Sequence, residues 1–390
     1  MEKLIVKNFG PIKEAEIDLT KYVVFIGDTS TGKSVLAKLI AIFRDSFNLL
    51  SIQKDIESID FKRELKKYNI NFQIDNSEIL YYSKSINSNE YVKLLELKKN
   101  KIQLHNKVQK KKFLKVFDDL QNESLGKLNL SKFIEFNKEQ FLEIFYNDFY
   151  KSVNSTYFPA ERILYSLTGN SLAGLMANNV ALPDCYKEFA AKYEVARKEI
   201  NHIKYPSFDI KYNFKNGMDE IEFNNNKILL SEASSGIQSL IPLVVVLENE
   251  ILKKKVEASK ILIIEEPELN LFPKKQKKLI DHIIQKTNNV NFKIVITTHS
   301  PYILSSLDTL MLAKNTFNEH PDLKEEINAI VPESNWIDFN DISVYEVRND
   351  GKVYSIKNEE FKSIDVNAID SVSDIISEEF DKLTELRYAH

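Results

Sequence analysis

The chain has 390 residues, 43% apolar and 28% charged, which suffices for one large or two ordinary domains and gives the balance of a globular protein in water. A net charge of −4 excludes capture of polyanions by bulk electrostatics, and the single cysteine, Cys185, excludes an intramolecular disulfide. The longest apolar run, residues 240–247, is too short to span a bilayer, and the first residues lack a basic segment followed by an apolar one. The expectation is a cytoplasmic protein with no membrane partner.

In chain order, residues 3–9 and 15–19 alternate apolar and polar positions around a Gly10-Pro11 turn, which predicts a β-hairpin. Residues 22–26 are a short apolar run, read as a buried strand. Val35, Leu36, Leu39, Ile40 and Phe43 then recur at helical spacing. From 51 to 154 the composition turns to Lys, Asn, Glu, Leu and Phe, and an inserted, mainly helical region is expected, with a β-pair near 72–82. A short strand over 156–159 leads into a helical lobe at 160–205. A second hairpin is expected over 207–223 and a helix from Ser235 to Leu247. Two apolar strands, 261–264 and 294–297, flank a basic helix. Strands at 342–347 and 352–356 and a helix at 371–386 close the chain. The expected fold is α/β: one unit over 1–390, with an antiparallel β-subdomain, the helical lobe and the insertion.

Gly27-Asp28-Thr29-Ser30-Thr31-Gly32-Lys33-Ser34 matches G-x-x-x-x-G-K-[ST] and stands between a strand and a helix, the context that loop requires. The two glycines let the backbone curl so that its N–H groups face phosphate oxygens. Lys33 is expected to reach the β- and γ-phosphates of ATP and the Ser34 hydroxyl to ligate Mg²⁺, with Val35 completing the contact set. Glu265 and Glu266 follow four apolar residues at the carboxyl end of a strand, where open α/β sheets bind ligands. The first is placed to hold the Mg²⁺ shell and the second to orient or deprotonate the attacking water. His299 ends another apolar strand on the same side of the sheet, in reach of a γ-phosphate or that water. Ser234-Ser235-Gly236 opens a helix and offers a second anion site through the helix N-terminus.

This order of motifs resembles the ABC-type ATPase heads of the SMC/RecF group. More narrowly, it is similar to the compact AAA-type proteins, related to the OLD and RecF heads, of bacterial phage-defence and toxin-linked operons, among them the ATPase subunits of Septu, PARIS and retron-type systems. The resemblance covers residues 1–50 and 155–390. It implies that Ser234, Ser235 and Gly236 form a signature motif contacting the γ-phosphate held by another protomer, that Glu266 is the catalytic glutamate and that His299 is the switch histidine. It also implies a D-loop at Glu268-Leu269-Asn270 and a Q-loop at 157–162. The sequence departs from the pattern in Asp28-Thr29-Ser30 for an Asn-Gly pair, Glu265 for the commoner Asp, Phe272 for a frequent His, and the absence of a Q-loop glutamine.

The resemblance implies a homodimer closed around ATP and opened by hydrolysis, or a higher oligomer built from it. As a defence subunit the protein would control a separately encoded effector, a nuclease or toxin. The alternative is a RecF-like ATPase of DNA repair or maintenance. For that reading the contact surface is the Lys93–Lys115 run, nine lysines against the single acid Glu96, which is otherwise a solvated helical face.

Overall fold

The computed structural model describes residues 2–52, 56–84, 90–105, 155–168, 182–223, 226–253, 260–365, 377–383 and 387. Strands β1 (Glu2–Phe9) and β2 (Ile12–Leu19) form the expected hairpin, and β3 (Tyr22–Ile26) runs straight into the glycine loop and helix α1 (Lys33–Ile52). β4 (Ser58–Asp60), the short helix α2 (Phe61–Lys67), β5 (Glu78–Lys84), β6 (Tyr91–Lys98) and β7 (Lys101–Leu104) follow. β8 (Thr156–Phe158) then leads to α3 (Ile163–Thr168) and α4 (Asp184–Glu199) of the helical lobe. Strands β9 (His202–Tyr205), β10 (Ile210–Lys215), β11 (Met218–Phe223) and β12 (Asn226–Leu229) form one antiparallel sheet, ordered β12-β11-β10-β9. Next come α5 (Ser235–Leu252), β13 (Lys260–Glu265), α6 (Pro273–Thr287), β14 (Phe292–Thr298), α7 (Pro301–Glu319), β15 (Ile342–Val347) and β16 (Val353–Ser355).

The central sheet has the order β16-β15-β3-β14-β13-β8, parallel throughout except for the edge strand β16. Its inner strands are buried on both faces, which is why they read as continuous apolar runs rather than alternations. Val23 and Phe25 of β3, with Ile261 and Ile263 of β13, pack toward α1 and the first antiparallel sheet. Tyr22, Val24 and Ile26, with Leu262 and Ile264, pack toward α5, α6 and α7. Helix α5 is long and apolar enough to cross a membrane, but it is mostly buried here as a core helix. Fully burying Val244, Val245 or Leu247 contributes about 1.5–3 kcal/mol apiece.

The expectation of a mainly helical insertion fails over 56–105. Four strands and one short helix lie there, and they extend the N-terminal hairpin into a six-stranded sheet ordered β2-β1-β5-β6-β7-β4. The cause is one-sided burial: Ile79, Tyr81, Leu95 and Ile102 turn inward while the Lys, Glu and Asn positions face water, and this pairing overrides local helix propensity. Lys99 and Asn100 both have positive φ (48° and 61°) in the two-residue turn joining β6 to β7, the geometry of a type I′ hairpin. Lys93, Lys98, Lys99 and Lys101 therefore stand on a hairpin and not on a helix face, with Lys93 ion-paired to Glu96 at 3.1 Å. The remaining lysines of the run, and 106–154 as a whole, lie outside the described residues.

Candidate nucleotide-binding site

Strand pairing brings the carboxyl ends of β13, β14 and β3 level: Glu265 lies opposite Thr297, and Thr297 opposite Phe25. Every chemistry-bearing residue read on those three strands therefore emerges on one rim. The loop leaving β3 is walled by β15, since a Cβ on Gly27 (φ +149°) would stand 2.2 Å from the Val347 carbonyl oxygen. Asn349 Nδ2 also donates to Asp28 Oδ2 at 3.2 Å, and Thr31 Oγ1 donates to the Asp28 carbonyl at 2.9 Å. Asp28, Thr29 and Ser30 are exposed at the tip, while Thr31, Gly32 and Lys33 are buried beneath it. Gly27→Ala is expected to destabilise the protein by on the order of 3 kcal/mol and to weaken nucleotide binding, because both the φ and the wall resist a side chain. Denaturant unfolding with wild-type stability retained would show that the wall yields.

Lys33 folds back over the loop. Its Nζ donates to the carbonyls of Gly27 (2.8 Å) and Asp28 (2.6 Å) and lies 3.4 Å from His299 Nδ1. Burial pulls its pKa down to about 8, against the attraction of Glu266, Asp28 and Glu268. His299 Nε2 is 3.2 Å from Glu266 Oε1, so lysine, histidine and glutamate form one contiguous line across the rim. Glu266 itself has φ +42°, a left-handed conformation that a side chain adopts at a cost of about 1–3 kcal/mol. Its N–H donates to the Thr297 carbonyl at 2.9 Å.

Glu265 is buried, and burial raises its pKa. Its Oε2 accepts from the Tyr157 hydroxyl at 2.7 Å. Oε1 faces Lys38 Nζ at 3.7 Å and, among the described residues, meets no donor at hydrogen-bond geometry, and the Ser34 hydroxyl lies beside the same carboxylate. A buried carboxylate oxygen without a donor, next to a serine hydroxyl, fits a hard divalent cation such as Mg²⁺, which takes oxygen ligands. Ser34 and Glu265 are the residues that would hold it.

The Ser234-Ser235-Gly236 segment adjoins the 268–271 turn. Ser234 caps α5 with its backbone extended, and its side chain makes no capping bond. Ser234 and Ser235 are exposed. Gly236 packs so tightly on the 268–271 turn that a Cβ would stand 2.7 Å from the Asn270 carbonyl oxygen. Among the described residues no hydrogen bond joins this segment to the glycine loop of the same chain.

Several contributors were not assigned these contacts from sequence. Glu268 is buried and accepts from Thr298 Oγ1 (2.5 Å) and from the His299 N–H (2.9 Å), fixing the histidine turn to the glutamate turn. Its position two residues beyond Glu266 was the available signal. Tyr157 and Lys38 hold Glu265, and among the described residues the fully buried Arg162 bonds only to backbone carbonyls.

A family model described as an AAA ATPase domain matches residues 51–304, more than half of the chain, and the protein belongs to that family. Among curated proteins none matches. Solved structures that the chain is similar to include the SMC head domain from Thermotoga maritima, at 14% identity over 78% of this chain and 90% of that one, with a TM-score of 0.36. A second is the SmcHead bound to the C-winged helix domain of ScpA, at 12% identity, 92% and 98% coverage and a TM-score of 0.37. A third is the Smc head domain with an extended coiled coil bound to the C-terminal domain of ScpA from Pyrococcus furiosus, at 13% identity, 99% and 100% coverage and a TM-score of 0.36. Family and architecture together define a member of the AAA ATPase domain family with a central, mostly parallel α/β sheet and a glycine loop between β3 and α1.

Proposed function

We propose that the protein binds and hydrolyses Mg–ATP between two copies of itself and uses the cycle to switch an interface. The observation that carries this reading is the line Lys33–His299–Glu266 beside Glu265 on one rim, while Ser234 and Ser235 stand exposed with no side-chain cap on α5 and, among the described residues, no hydrogen bond to the glycine loop. Within one chain the loop amides and Lys33 bind the phosphates, with the ammonium leaving the carbonyls of Gly27 and Asp28 to do so. Mg²⁺, when bound, would neutralise charge on the β- and γ-phosphates. Glu266 accepts a proton from the attacking water, and His299 orients Glu266 and the γ-phosphate.

A second copy would supply Ser234, Ser235 and the α5 N-terminus. Two exposed aromatic side chains support a partner on this rim. Phe272, 77% exposed, follows the turn that packs on Gly236, and Tyr302, 52% exposed, follows His299 by three residues. The groups gathered here act on nucleotide and water, so the product of the cycle is a change of interface. A separate chain would read it, which suits the control of an effector in an anti-phage system. Light scattering tests the dimer: Glu266→Gln should accumulate a dimer in Mg–ATP, and Ser234→Arg in the same background should return it to monomer. Monomers in both cases sink the two-copy site.

A further inference from the structure

We infer that Arg162 is a positioning residue that holds the Glu266 turn in its working shape and ties it to the N-terminal end of α5. The inference rests on the ATPase reading above and adds a residue that acts through the backbone.

The geometry begins with a strand that stops early. β8 pairs with β13 through Thr156–Leu262, Tyr157–Ile263 and Phe158–Ile264. The next residue is Pro159, which has no N–H to continue the ladder, so the last carbonyls of the β13 end lose their strand partner on this side. Arg162 replaces the missing strand. One terminal nitrogen donates to the Glu265 carbonyl (2.7 Å) and the Pro159 carbonyl (2.7 Å), and the other donates to the Glu266 carbonyl (2.8 Å). A guanidinium can do this because its donors form a rigid planar fork; an ammonium cannot span the same set. Glu266 is thus clamped at both backbone groups, its carbonyl by Arg162 and its N–H by Thr297, and the clamp holds its left-handed φ.

The same side chain reaches α5. Its Nε donates to the Ser239 carbonyl at 3.3 Å. Pro242 lies inside α5 and cannot donate to the carbonyl four residues back, and that freed carbonyl, of Gln238, accepts from Ser166 Oγ at 2.6 Å. Arg162 and Ser166 therefore hold the adjacent carbonyls of Ser239 and Gln238 near the N-terminal end of α5, following the Ser234–Gly236 segment that would meet another copy. A displacement of that end on docking is passed through one buried guanidinium to the backbone of Glu266. Arg162 is fully buried, and no carboxylate hydrogen-bonds to it among the described residues. Keeping a charge there solely for packing would be unfavourable.

The test compares full-length wild type, Arg162→Lys and Arg162→Ala for affinity toward a fluorescent ATP analogue and for steady-state turnover, both with Mg²⁺. Affinity is expected within about threefold of wild type, with turnover lower by about 10–100-fold, because a small misplacement of the base costs rate and not binding. Millimolar guanidinium should restore part of the turnover of Arg162→Ala and none of that of Arg162→Lys. If the alanine variant does not fold, the lysine variant reads the same split alone. Undiminished turnover in Arg162→Lys, or binding lost in step with turnover, overturns the inference. Wild-type turnover separates the two readings. Its absence removes both, whereas wild-type turnover with unaffected variants removes only the role of Arg162.

Discussion

Glu266→Gln should lower ATP turnover by about 10²–10⁴-fold while nucleotide affinity stays within about threefold. Gln keeps the size and the contact with His299 Nε2, now 3.2 Å from Glu266 Oε1, but it cannot take a proton from water. Affinity is spared because the phosphate-binding groups sit on a different strand end, with Lys33 and the loop amides after β3. Among the described residues, the two neighbouring carboxylates on this turn are already engaged. Glu265 is buried against Tyr157, and Glu268 is committed to Thr298 and the His299 N–H. Single-turnover kinetics with Mg–ATP checks this, and turnover above about a tenth of wild type would place the base elsewhere.

Lys33→Met carries the second large effect, in binding. Charge-assisted bonds to phosphate contribute about 1.5–3 kcal/mol each, so losing two is expected to weaken ATP binding by at least about 100-fold. The nucleotide-free protein should respond in the opposite sense. There Lys33 is a buried cation whose pKa is pulled down to about 8 and whose partners are carbonyl dipoles and a histidine. Removing that charge should leave the melting temperature of the nucleotide-free variant equal to or above that of wild type, while the rise produced by Mg–ATP disappears. A thermal-shift series with and without Mg–ATP reads both. A large drop without nucleotide would make Lys33 a structural residue and the loop a plain turn.

Much of the central sheet was legible because its signals are local. Strand β3, the glycine pattern after it and the apolar face of α1 lie within thirty residues, and the apolar runs of β13 and β14 lead directly to Glu265 and, through Thr297 and Thr298, to His299. The β-pair expected near 72–82 overlaps β5, but β6 and β7 were misread, because their inward positions, such as Leu95 and Ile102, are spaced among Lys and Glu that favour a helix in isolation. Only pairing with β5, and through it with β1, distant in sequence, selects the strands. Arg162 was visible as a residue but not as a clamp. Its partners are main-chain carbonyls at 159, 239, 265 and 266, and a backbone oxygen leaves no mark in the sequence that recruits it. Glu268 lies between: its place after Glu266 was plain, but its hold on the histidine turn needed β13 beside β14.

The position of β3 also sets the order of assembly. The glycine loop belongs to the first tenth of the chain, yet β3 is flanked by β14 and β15, and the wall of the loop is Val347 with Asn349 alongside. During synthesis the phosphate loop therefore emerges early and waits, unsupported, for more than three hundred residues. A chain halted before β15 carries the whole nucleotide motif and cannot shape it. Stabilisation by ATP is therefore expected to require β15, so that a fragment bearing the motif alone should not compete for nucleotide.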